Sequence, residues 1–291
     1  MKRSKFFVGI GSQKAGTSWL WAYLQSHPEV GRSPVKEFHL FDSKYTATCA
    51  GFNRKFPRIK KYLRRFNDYA GTSPIKGYRL LAHYFGTLAY REGSYRKYLE
   101  LIAQGKTLGG EITPSYAMLE ADGIQAIETA LDRPNYLWIL RNPADRFWSH
   151  IRYRARWKDD LTGTASITEL LGQDLYRLHS AHKRTYLAYR DIIADGRLHI
   201  MFYEHVFDAG RNQQVCDALC DFLGLAPHQA DRMKQVNVGD KWSTDIFDRR
   251  AVVAAMAEDY RFFAETFGPA LPQSWQDDIA ALEAGKVAAS A

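Results

Sequence analysis

The sequence predicts a single α/β domain, residues 1–291, with a central parallel sheet flanked by helices. Short apolar runs typical of buried strands alternate with longer segments of helical periodicity, an order that favours a parallel sheet covered on both faces. The first apolar run is followed by a glycine-containing, P-loop-like turn of the phosphate-binding type. With 46% hydrophobic residues, the chain is also long enough to bury one large core.

Four strands are predicted from apolar runs that are bounded by turn residues: Phe6–Ile10, Thr107–Ile112, Tyr136–Leu140 and Leu198–Tyr203. The helix after the first strand should end at His27-Pro28, because the residue before a proline is disfavoured in the helical conformation. Another helix should begin at Asn142-Pro143, with an N-cap and a proline at its first position. Amphipathic helices are predicted over Asn212–Phe222 and Asp248–Phe267.

Two segments depart from this regular alternation. Residues 44–75 have the composition of an insertion between core elements, and residues 54–65 within it hold seven cations and no acidic residue. Such a run is either a solvated helix face or an electropositive surface that docks the acceptor. The alanine-rich residues 276–291 are predicted to form a flexible, weakly helical tail.

Composition limits the environment and the partners. The formal net charge of +8 favours an anionic partner. The three cysteines show no spacing with histidine that is typical of zinc, and we expect no metal site. The N-terminal apolar run is too short for a signal peptide and no stretch approaches the length of a membrane span, so a cytoplasmic protein is predicted.

The turn GSQKAGTS, residues 11–18, lies between a strand and a helix, which is where a phosphate cradle forms. Glycines let backbone N–H groups point inward, and the helix N-terminus adds a field that favours anions. The spacing nearly matches GxxxxGK[ST], but Thr17 replaces the usual lysine, and the lysine lies inside the loop as Lys14. A lysine there is nearer to one 5′-phosphate and its bridging oxygen than to the end of a triphosphate. The alternative is a structural turn with a solvated lysine.

The extended turn, GSQKAGTSW, resembles the 5′-phosphosulfate loop of sulfotransferases that use 3′-phosphoadenosine-5′-phosphosulfate (PAPS) as donor. The resemblance implies transfer of a sulfuryl group to a hydroxyl or amine, with release of 3′-phosphoadenosine-5′-phosphate (PAP). It implies that Lys14 contacts the bridging oxygen and acts in catalysis. Trp19 either stacks on adenine or anchors the first helix in the core. The residues implied to bind the 5′-phosphate are Ala15, Gly16, Thr17 and Ser18.

A donor that carries a 3′-phosphate needs a second anion site. Arg141 follows the predicted strand Tyr136–Leu140, and Ser149 lies eight positions later in the next helix. The stretch LRNPADRFWSHIRY resembles the family's 3′-phosphate motif, which has an arginine and a serine at this interval. A later segment, NVGDKWS, resembles the loop that closes over the nucleotide, and it makes Lys241 a candidate phosphate contact. Its order of lysine and tryptophan differs from that of many cytosolic members.

Sulfuryl transfer requires alignment, charge stabilisation at the leaving phosphate and a base for the attacking group. The segment KEFHLF, residues 36–41, lies just past the expected second strand and resembles the KExHFF segment of the glycan-modifying branch, heparan sulfate sulfotransferases included. That resemblance implies Glu37 as the base. His39 is the second candidate, because a neutral imidazole titrates in the right range. Glu111, in EITPSY, resembles the glutamate of the family's EKxPxY segment, and we expect it to orient the acceptor or the loop.

Two other functions stay open from the residues alone. A P-loop kinase of a nucleotide or small metabolite would need a lysine after Gly16 and a magnesium-binding aspartate, and neither is evident. A nucleic-acid-binding module would use residues 54–65, but these cations lack an interleaved stacking platform, so no nucleic-acid partner is expected. The expected acceptor is a glycan or a hydroxylated small molecule, and an anionic one would suit the basic segment. The sequence does not specify the oligomeric state.

Overall fold

The computed structural model describes residues 5–49, 65–66, 68–69, 74–155, 167–193, 196–229 and 248–289. Within them, four parallel strands form the central sheet, in the spatial order β2-β1-β3-β4. The strands are β1 (Phe6–Gly11), β2 (Gly109–Ile112), β3 (Asn135–Leu140) and β4 (Leu198–Phe202). The predicted α/β fold with a central parallel sheet is confirmed, and each strand overlaps the apolar run that predicted it.

Helices connect the strands and cover both faces of the sheet. In chain order they are α1 (Thr17–Ser26), α2 (Phe41–Tyr45), α3 (Pro74–Leu88), α4 (Glu92–Ala103), α5 (Ala121–Leu131), α6 (Pro143–Ala155), α7 (Ile167–Gly172), α8 (Asp174–Ser180), α9 (His182–Ile192), α10 (Tyr203–Val206), α11 (Asn212–Leu223), α12 (Arg249–Ala255), α13 (Ala257–Phe267) and α14 (Gln273–Ala289). Short 3₁₀ turns follow α2, β2 and α13, at Ala47–Cys49, Pro114–Met118 and Gly268–Ala270.

Side chains alternate between the two faces of the sheet, and each face buries its own apolar cluster. Val8 and Trp138 point into the larger cluster, which includes side chains from α5, α9 and α13. Phe7 and Leu137 point into the other cluster, which is closed by α1 and α11. The sheet is therefore rigidly held on both sides, and its strand ends are fixed relative to one another.

Strand β1 is the point at which the chain changes direction across the sheet. From β1 the chain passes to β2 on one side, and then crosses to β3 and β4 on the other. In open α/β sheets, ligands bind outside the carboxyl ends of the strands at such a point. The loop after β1 and the residues after β3 lie there.

A further strand, expected before Lys36 in addition to the four apolar runs, does not form as a regular strand. The chain runs beside β2 over this stretch, but only Val30 forms a β-bridge, to Leu108, and the Ile112 N–H donates to the carbonyl of Lys36 at 2.9 Å. Pro34 has no N–H to donate. The Ser33 hydroxyl instead occupies both the carbonyl and the N–H of Val35, which removes these groups from a ladder.

The C-terminal helices also differ from the prediction. The segment Asp248–Phe267 contains two helices, α12 and α13, because the chain leaves the helical path at Met256. After Trp275, helix α14 continues to Ala289, and the side chain of Asp278 is buried in it, so the start of this segment is packed against the domain. The basic residues 54–65 lie outside the described residues apart from Arg65, which is exposed.

Candidate functional site

The loop after β1 curls back on itself, as a phosphate cradle must. The Ser12 N–H donates to the carbonyl of Ile139 at 2.7 Å, and the Ala15 N–H donates to the carbonyl of Ser12 at 3.1 Å. Gly16 has a φ of 86°, where only glycine is unstrained, and an added Cβ would lie 2.9 Å from the ring of Phe207. Glycine at this position therefore serves both the turn and the packing beneath it.

The start of α1 presents backbone donors that the chain does not use. The first N–H groups of a helix have no intrahelical acceptor. Gly16 caps α1 without a side-chain hydrogen bond, and no acceptor from the described residues reaches the N–H groups of Gly16, Thr17 or Ser18. These donors, at the positive end of a ten-residue helix, can bind a phosphate.

Arg141 joins the second predicted motif to this loop. It follows β3, and its guanidinium Nη1 donates to the carbonyl oxygen of Lys14 at 3.0 Å. The guanidinium also lies 4.4 Å from the centre of the Tyr203 ring. Its Nε is buried and has no hydrogen-bond partner among the described residues, so it can still donate to a ligand. The two motifs, 127 residues apart in the sequence, therefore lie at one place.

The side chain of Lys14 points along α6 towards the second candidate of the 3′-phosphate motif. Its Nζ lies 4.2 Å from the centre of the Tyr153 ring. Tyr153 and Ser149 are four positions apart on α6 and therefore share a helix face. Ser149 is half-buried, and its hydroxyl makes no hydrogen bond within the part of the chain described. The structure thus brings Lys14, Arg141 and Ser149 to one side of the sheet.

Trp19 is placed in the core and not in an open groove. Its side chain is 6% exposed. The ring stacks on Tyr23 with centroids 5.6 Å apart and contacts the edge of Phe207. Of the two roles predicted for Trp19, the packing supports anchoring of α1 and leaves no exposed ring face for adenine.

A continuous polar chain connects the loop with the candidate bases. The ammonium of Lys36 donates to the Thr17 hydroxyl at 3.2 Å and to Glu37 Oε1 at 2.9 Å. The second oxygen of Glu37 lies 3.3 Å from His39 Nε2. His39 has a φ of 55°, a left-handed conformation uncommon for a residue with a side chain, and Lys14 has a φ of 69°. The strained backbone at both positions is typical of functional sites.

Asp42 completes this chain, and the sequence reasoning missed it. Its carboxylate is fully buried and accepts from His39 Nδ1 at 2.7 Å and from the Ser115 hydroxyl. His39 therefore lies between two carboxylates, those of Glu37 and Asp42. The sequence shows Asp42 three positions after His39, but helical spacing does not explain their contact, because His39 precedes α2 and has a left-handed backbone conformation.

The charges in this chain fix the protonation of both candidate bases. Burial opposes the charged form of Glu37, but the hydrogen bond from His39 and the charge of Lys36 outweigh it and hold the pKa of Glu37 well below its usual range. For His39, burial again opposes the charged form, and the two carboxylates outweigh it and raise the pKa to about 9. At neutral pH, Glu37 is a carboxylate and His39 is an imidazolium.

Glu111 anchors the segment that carries these residues. It is fully buried, and one of its oxygens accepts from the Phe38 N–H at 3.2 Å, between Glu37 and His39 in the sequence. The other oxygen accepts from the hydroxyls of Tyr95 and Tyr116, each at 2.9 Å. Burial raises the pKa of Glu111 to about 7, against these hydrogen bonds. Glu111 has no exposed surface that an acceptor could contact. Its hydrogen bond from the Phe38 N–H instead fixes the backbone of residues 36–39 in place.

A cluster of buried basic side chains lies next to the loop and was also missed. Arg146, which is fully buried, donates to the Ser180 hydroxyl, and its other nitrogens have no hydrogen-bond partner in the part of the chain that the structure describes. Around it lie His150, His179 and His182, each 1–2% exposed. Burial and the nearby Arg146 lower the pKa of His179 and His182 to about 3, so these imidazoles are neutral. The members come from α6, α8 and α9, and no local spacing in the sequence indicates that they meet.

The remaining predicted site residue, Lys241, lies outside the described residues. In the part of the chain that the structure covers, no three side chains of His, Cys, Asp or Glu are grouped so that they could hold a metal ion. A search of those same residues found no helix with the length and apolar character of a membrane span.

Among known protein structures, the fold is similar to that of a sulfotransferase from Alicyclobacillus acidocaldarius, with a TM-score of 0.57 and 21% identity over 95% of this chain and 100% of that one. It is also similar to a sulfotransferase from Mycobacterium avium, with a TM-score of 0.51 and 13% identity over 92% of this chain and 78% of that one. At these identities the likeness concerns the fold.

Sequence comparisons point to the same family. The membrane-associated sulfotransferase kil1 of Dictyostelium discoideum is 23% identical over 151 residues, which make up 52% of this chain and 23% of that protein. The match thus spans less than a quarter of the relative's length. The model of the sulfotransferase family matches residues 7–229, which is most of this chain. The chain therefore belongs to the sulfotransferase family.

Proposed function

We propose that this sulfotransferase uses PAPS as its donor and transfers the sulfuryl group to a hydroxyl or amine of a glycan or hydroxylated small molecule. The observation that carries the proposal is the contact between Arg141 and the Lys14 carbonyl at 3.0 Å. This contact supports the proposal, because the segments that resemble a 5′-phosphate loop and a 3′-phosphate motif would then lie within reach of one nucleotide. A donor with phosphates at both ends of its ribose requires this proximity.

The polar groups that find no partner among the described residues fit such a donor. The N–H groups of Gly16, Thr17 and Ser18 suit the 5′-phosphate. The Nε of Arg141 and the hydroxyl of Ser149 suit the 3′-phosphate, since a guanidinium binds oxyanions with several parallel donors. Trp19, which is buried, is left out of this assignment. Lys241 stays a prediction.

The charges of the polar chain support Glu37 over His39 for the acid–base role. PAPS, when bound, supplies a sulfuryl group on a good leaving phosphate. The attacking oxygen or nitrogen forms its bond to sulfur while the sulfur–oxygen bond to the 5′-phosphate breaks, and the electron pair leaves with the phosphate. His39 already carries a proton up to about pH 9, which leaves Glu37 as the ionised group beside it. The low pKa of Glu37 makes it a weak base, so it can take the acceptor's proton only as that proton becomes acidic during bond formation to sulfur. Lys36, held between Thr17 and Glu37, couples the base to the phosphate loop.

Two parts of this proposal rest on sequence patterns. The KEFHLF segment supports a sugar hydroxyl or amine as the acceptor, and a cytoplasmic location stays a prediction from the sequence. The main rival, a P-loop kinase, would bind ATP with magnesium. Calorimetric titration of PAP and of ATP, each with and without magnesium, separates them: we expect PAP to bind without magnesium and more tightly than ATP.

The roles of the two central residues are tested with an acceptor screen that uses radiolabelled PAPS. Glu37→Gln should keep PAP affinity within about twofold and lose activity by about 100-fold or more, because only the proton acceptor is removed. Lys14→Ala should impair both PAP binding and turnover. The matched control is Glu100→Gln, an exposed glutamate of α4 that should behave like the wild type. Unchanged turnover in Glu37→Gln would contradict the assignment of the base.

A further inference from the structure

We propose a second anion-binding site, in a pocket at the opposite end of the sheet from the phosphate loop, that takes an organic sulfate or phosphate ester. The pocket has a volume of about 490 Å³. This is within the range of small-molecule sites in proteins. It lies where the end of α1, the end of α4 and the start of α3 come together, and it plays no part in the function proposed above.

The position of the pocket separates it from the donor site. Helix α1 begins at the phosphate loop and ends at Ser26, and the next residue, His27, lines the pocket. At about 1.5 Å per residue, a ten-residue helix puts about 15 Å between the two places. Lys106 lines the pocket just before β2, at the amino end of the sheet, whereas Gly16 lies beyond the carboxyl end of β1. One nucleotide at the loop therefore does not fill this pocket.

The pocket is lined by cations that no carboxylate among its described lining residues neutralises. Arg32, Lys76 and Lys106 all contribute to its wall, and none of the described residues that line it has a carboxylate. Lys106 donates to the carbonyl of Pro28 at 2.7 Å. Within the described residues, Arg32 and Lys76 have no hydrogen-bond or ion-pair partner. Three cations around one cavity repel each other, and a bound anion would remove that repulsion.

Lys76 is placed at a cost to the protein. Burial lowers the pKa of its ammonium, and the charge of Lys106 lowers it further. Lys76 also lies in the first turn of α3, where the helix field disfavours a cation. Neither placement favours folding. An oxyanion in the pocket would reverse both effects, because it attracts the ammonium and is itself favoured at that end of a helix.

The apolar part of the wall indicates that the ligand is more than a bare oxyanion. Val30, Ile102 and Tyr69 line the same cavity as the three cations; Val30 and Ile102 are each 1% exposed, so the partly buried ring of Tyr69 supplies most of the carbon surface. Carbon surface next to a cationic cluster fits a sulfate or phosphate group carried on an aromatic or aliphatic body. The two esters share a tetrahedral oxyanion, so phenyl sulfate and phenyl phosphate are matched probes that differ in their charge.

The site is tested by calorimetric titration of the full chain with each probe, in the presence of saturating PAP. The same titration is repeated on the Lys14→Ala chain, whose phosphate loop is weakened. Probe that still binds to this variant is not bound at the phosphate loop, so the test does not depend on PAP binding. We expect one equivalent of probe to bind to each chain. We expect Lys76→Gln and Arg32→Gln each to weaken binding about tenfold, because each removes one charge-assisted contact.

The control is Lys97→Gln, which removes an exposed lysine of α4 outside the pocket and should bind the probe like the wild type. Arg32 is exposed and Lys76 half-buried, and thermal melting should show that both variants fold. Phenol, which has no charge, should not bind. The proposal is overturned if Lys76→Gln and Arg32→Gln bind the probe as tightly as Lys97→Gln, or if PAP displaces the probe. Loss of PAP binding alone would refute the donor assignment and leave this site standing.

Discussion

Replacing Asp42 with asparagine should remove the proton from His39 at neutral pH. The asparagine side chain keeps the shape of the aspartate, and its carbonyl oxygen can still accept from the Ser43 N–H in place of Oδ1, but it has no negative charge to face His39 Nδ1, 2.7 Å away. Its amide would instead donate to Nδ1. His39 would then be neutral, with its other nitrogen carrying the hydrogen towards Glu37.

The size of the effect follows from the pKa of His39. Burial lowers this pKa, and the carboxylates of Asp42 and Glu37 outweigh burial and raise it from 6.5 to about 9. That rise corresponds to about 3 kcal/mol in favour of the imidazolium, at about 1.4 kcal/mol per pH unit. Without the Asp42 charge, burial is opposed by Glu37 alone, and we expect the pKa to fall by roughly 2 pH units or more.

The same shift predicts how stability depends on pH. The pKa of His39 is higher in the folded chain than in the unfolded chain, so its stabilisation is complete below pH 6.5 and is lost as the pH rises through about 9. Between these values, His39 should account for a loss of about 3 kcal/mol in the free energy of unfolding of the wild type. Asp42→Asn should lack most of this loss. Urea unfolding at pH 6.5 and at pH 9 measures it.

Imidazole nitrogen chemical shifts, followed by NMR across the pH range, report the pKa of His39 directly. The control is Asp174→Asn, which changes an exposed aspartate in α8 and should leave the titration of His39 unaltered. If His39 in Asp42→Asn still titrates near pH 9, then Asp42 does not hold the proton on the imidazole. Glu37 would lose its support as the proton acceptor if His39 of the wild type titrated below neutral pH, because a neutral His39 could then take the proton itself.

Three further changes test the frame around the site. Gly16→Ala should lower the free energy of unfolding, measured in urea, by about 1–2 kcal/mol and weaken PAP binding, because the φ of residue 16 is 86° and the new Cβ contacts Phe207. The control is Gly93→Ala in α4, which should not destabilise the protein, because an added Cβ there contacts nothing. Arg141→Gln should weaken PAP binding about tenfold or more and flatten its dependence on salt, as measured by titration at two salt concentrations. Arg249→Gln should lower the free energy of unfolding by about 1–3 kcal/mol, because Asp278 in α14 loses its bidentate partner. An unchanged midpoint of urea unfolding would show that this ion pair does not stabilise the packing of α14.

The parts of the fold that could be predicted are those that short stretches of sequence determine. The apolar run before Arg141 specifies a buried strand, and Asn142 with its proline specifies the helix that follows; the Asn142 side chain indeed accepts from the Ala144 N–H at 3.1 Å. The break at Met256 could not be predicted, since the helical pattern continues through it. The irregular stretch before Lys36 could have been suspected from Pro34, which cannot pair in a ladder.

The parts of the site that could not be predicted depend on which side chains meet. The sequence proposes Glu37 and His39 as alternatives, and only their distance and the buried Asp42 show that they form one charge network. Trp19 was equally consistent with adenine and with the core until its contact with Tyr23 was known. The cluster around Arg146 draws on three helices, and no motif connects them.

The order of the strands is the feature on which the donor site most depends. Neighbouring strands lie about 4.8 Å apart, so residues that follow adjacent strands can touch. Strand β3 pairs directly with β1, and Arg141 therefore reaches the carbonyl of Lys14. Had β2 lain between them, roughly 10 Å would separate the two strand ends, and the guanidinium would meet another backbone. Both motifs can be recognised in the sequence, but only the pairing of β1 with β3 makes them one site.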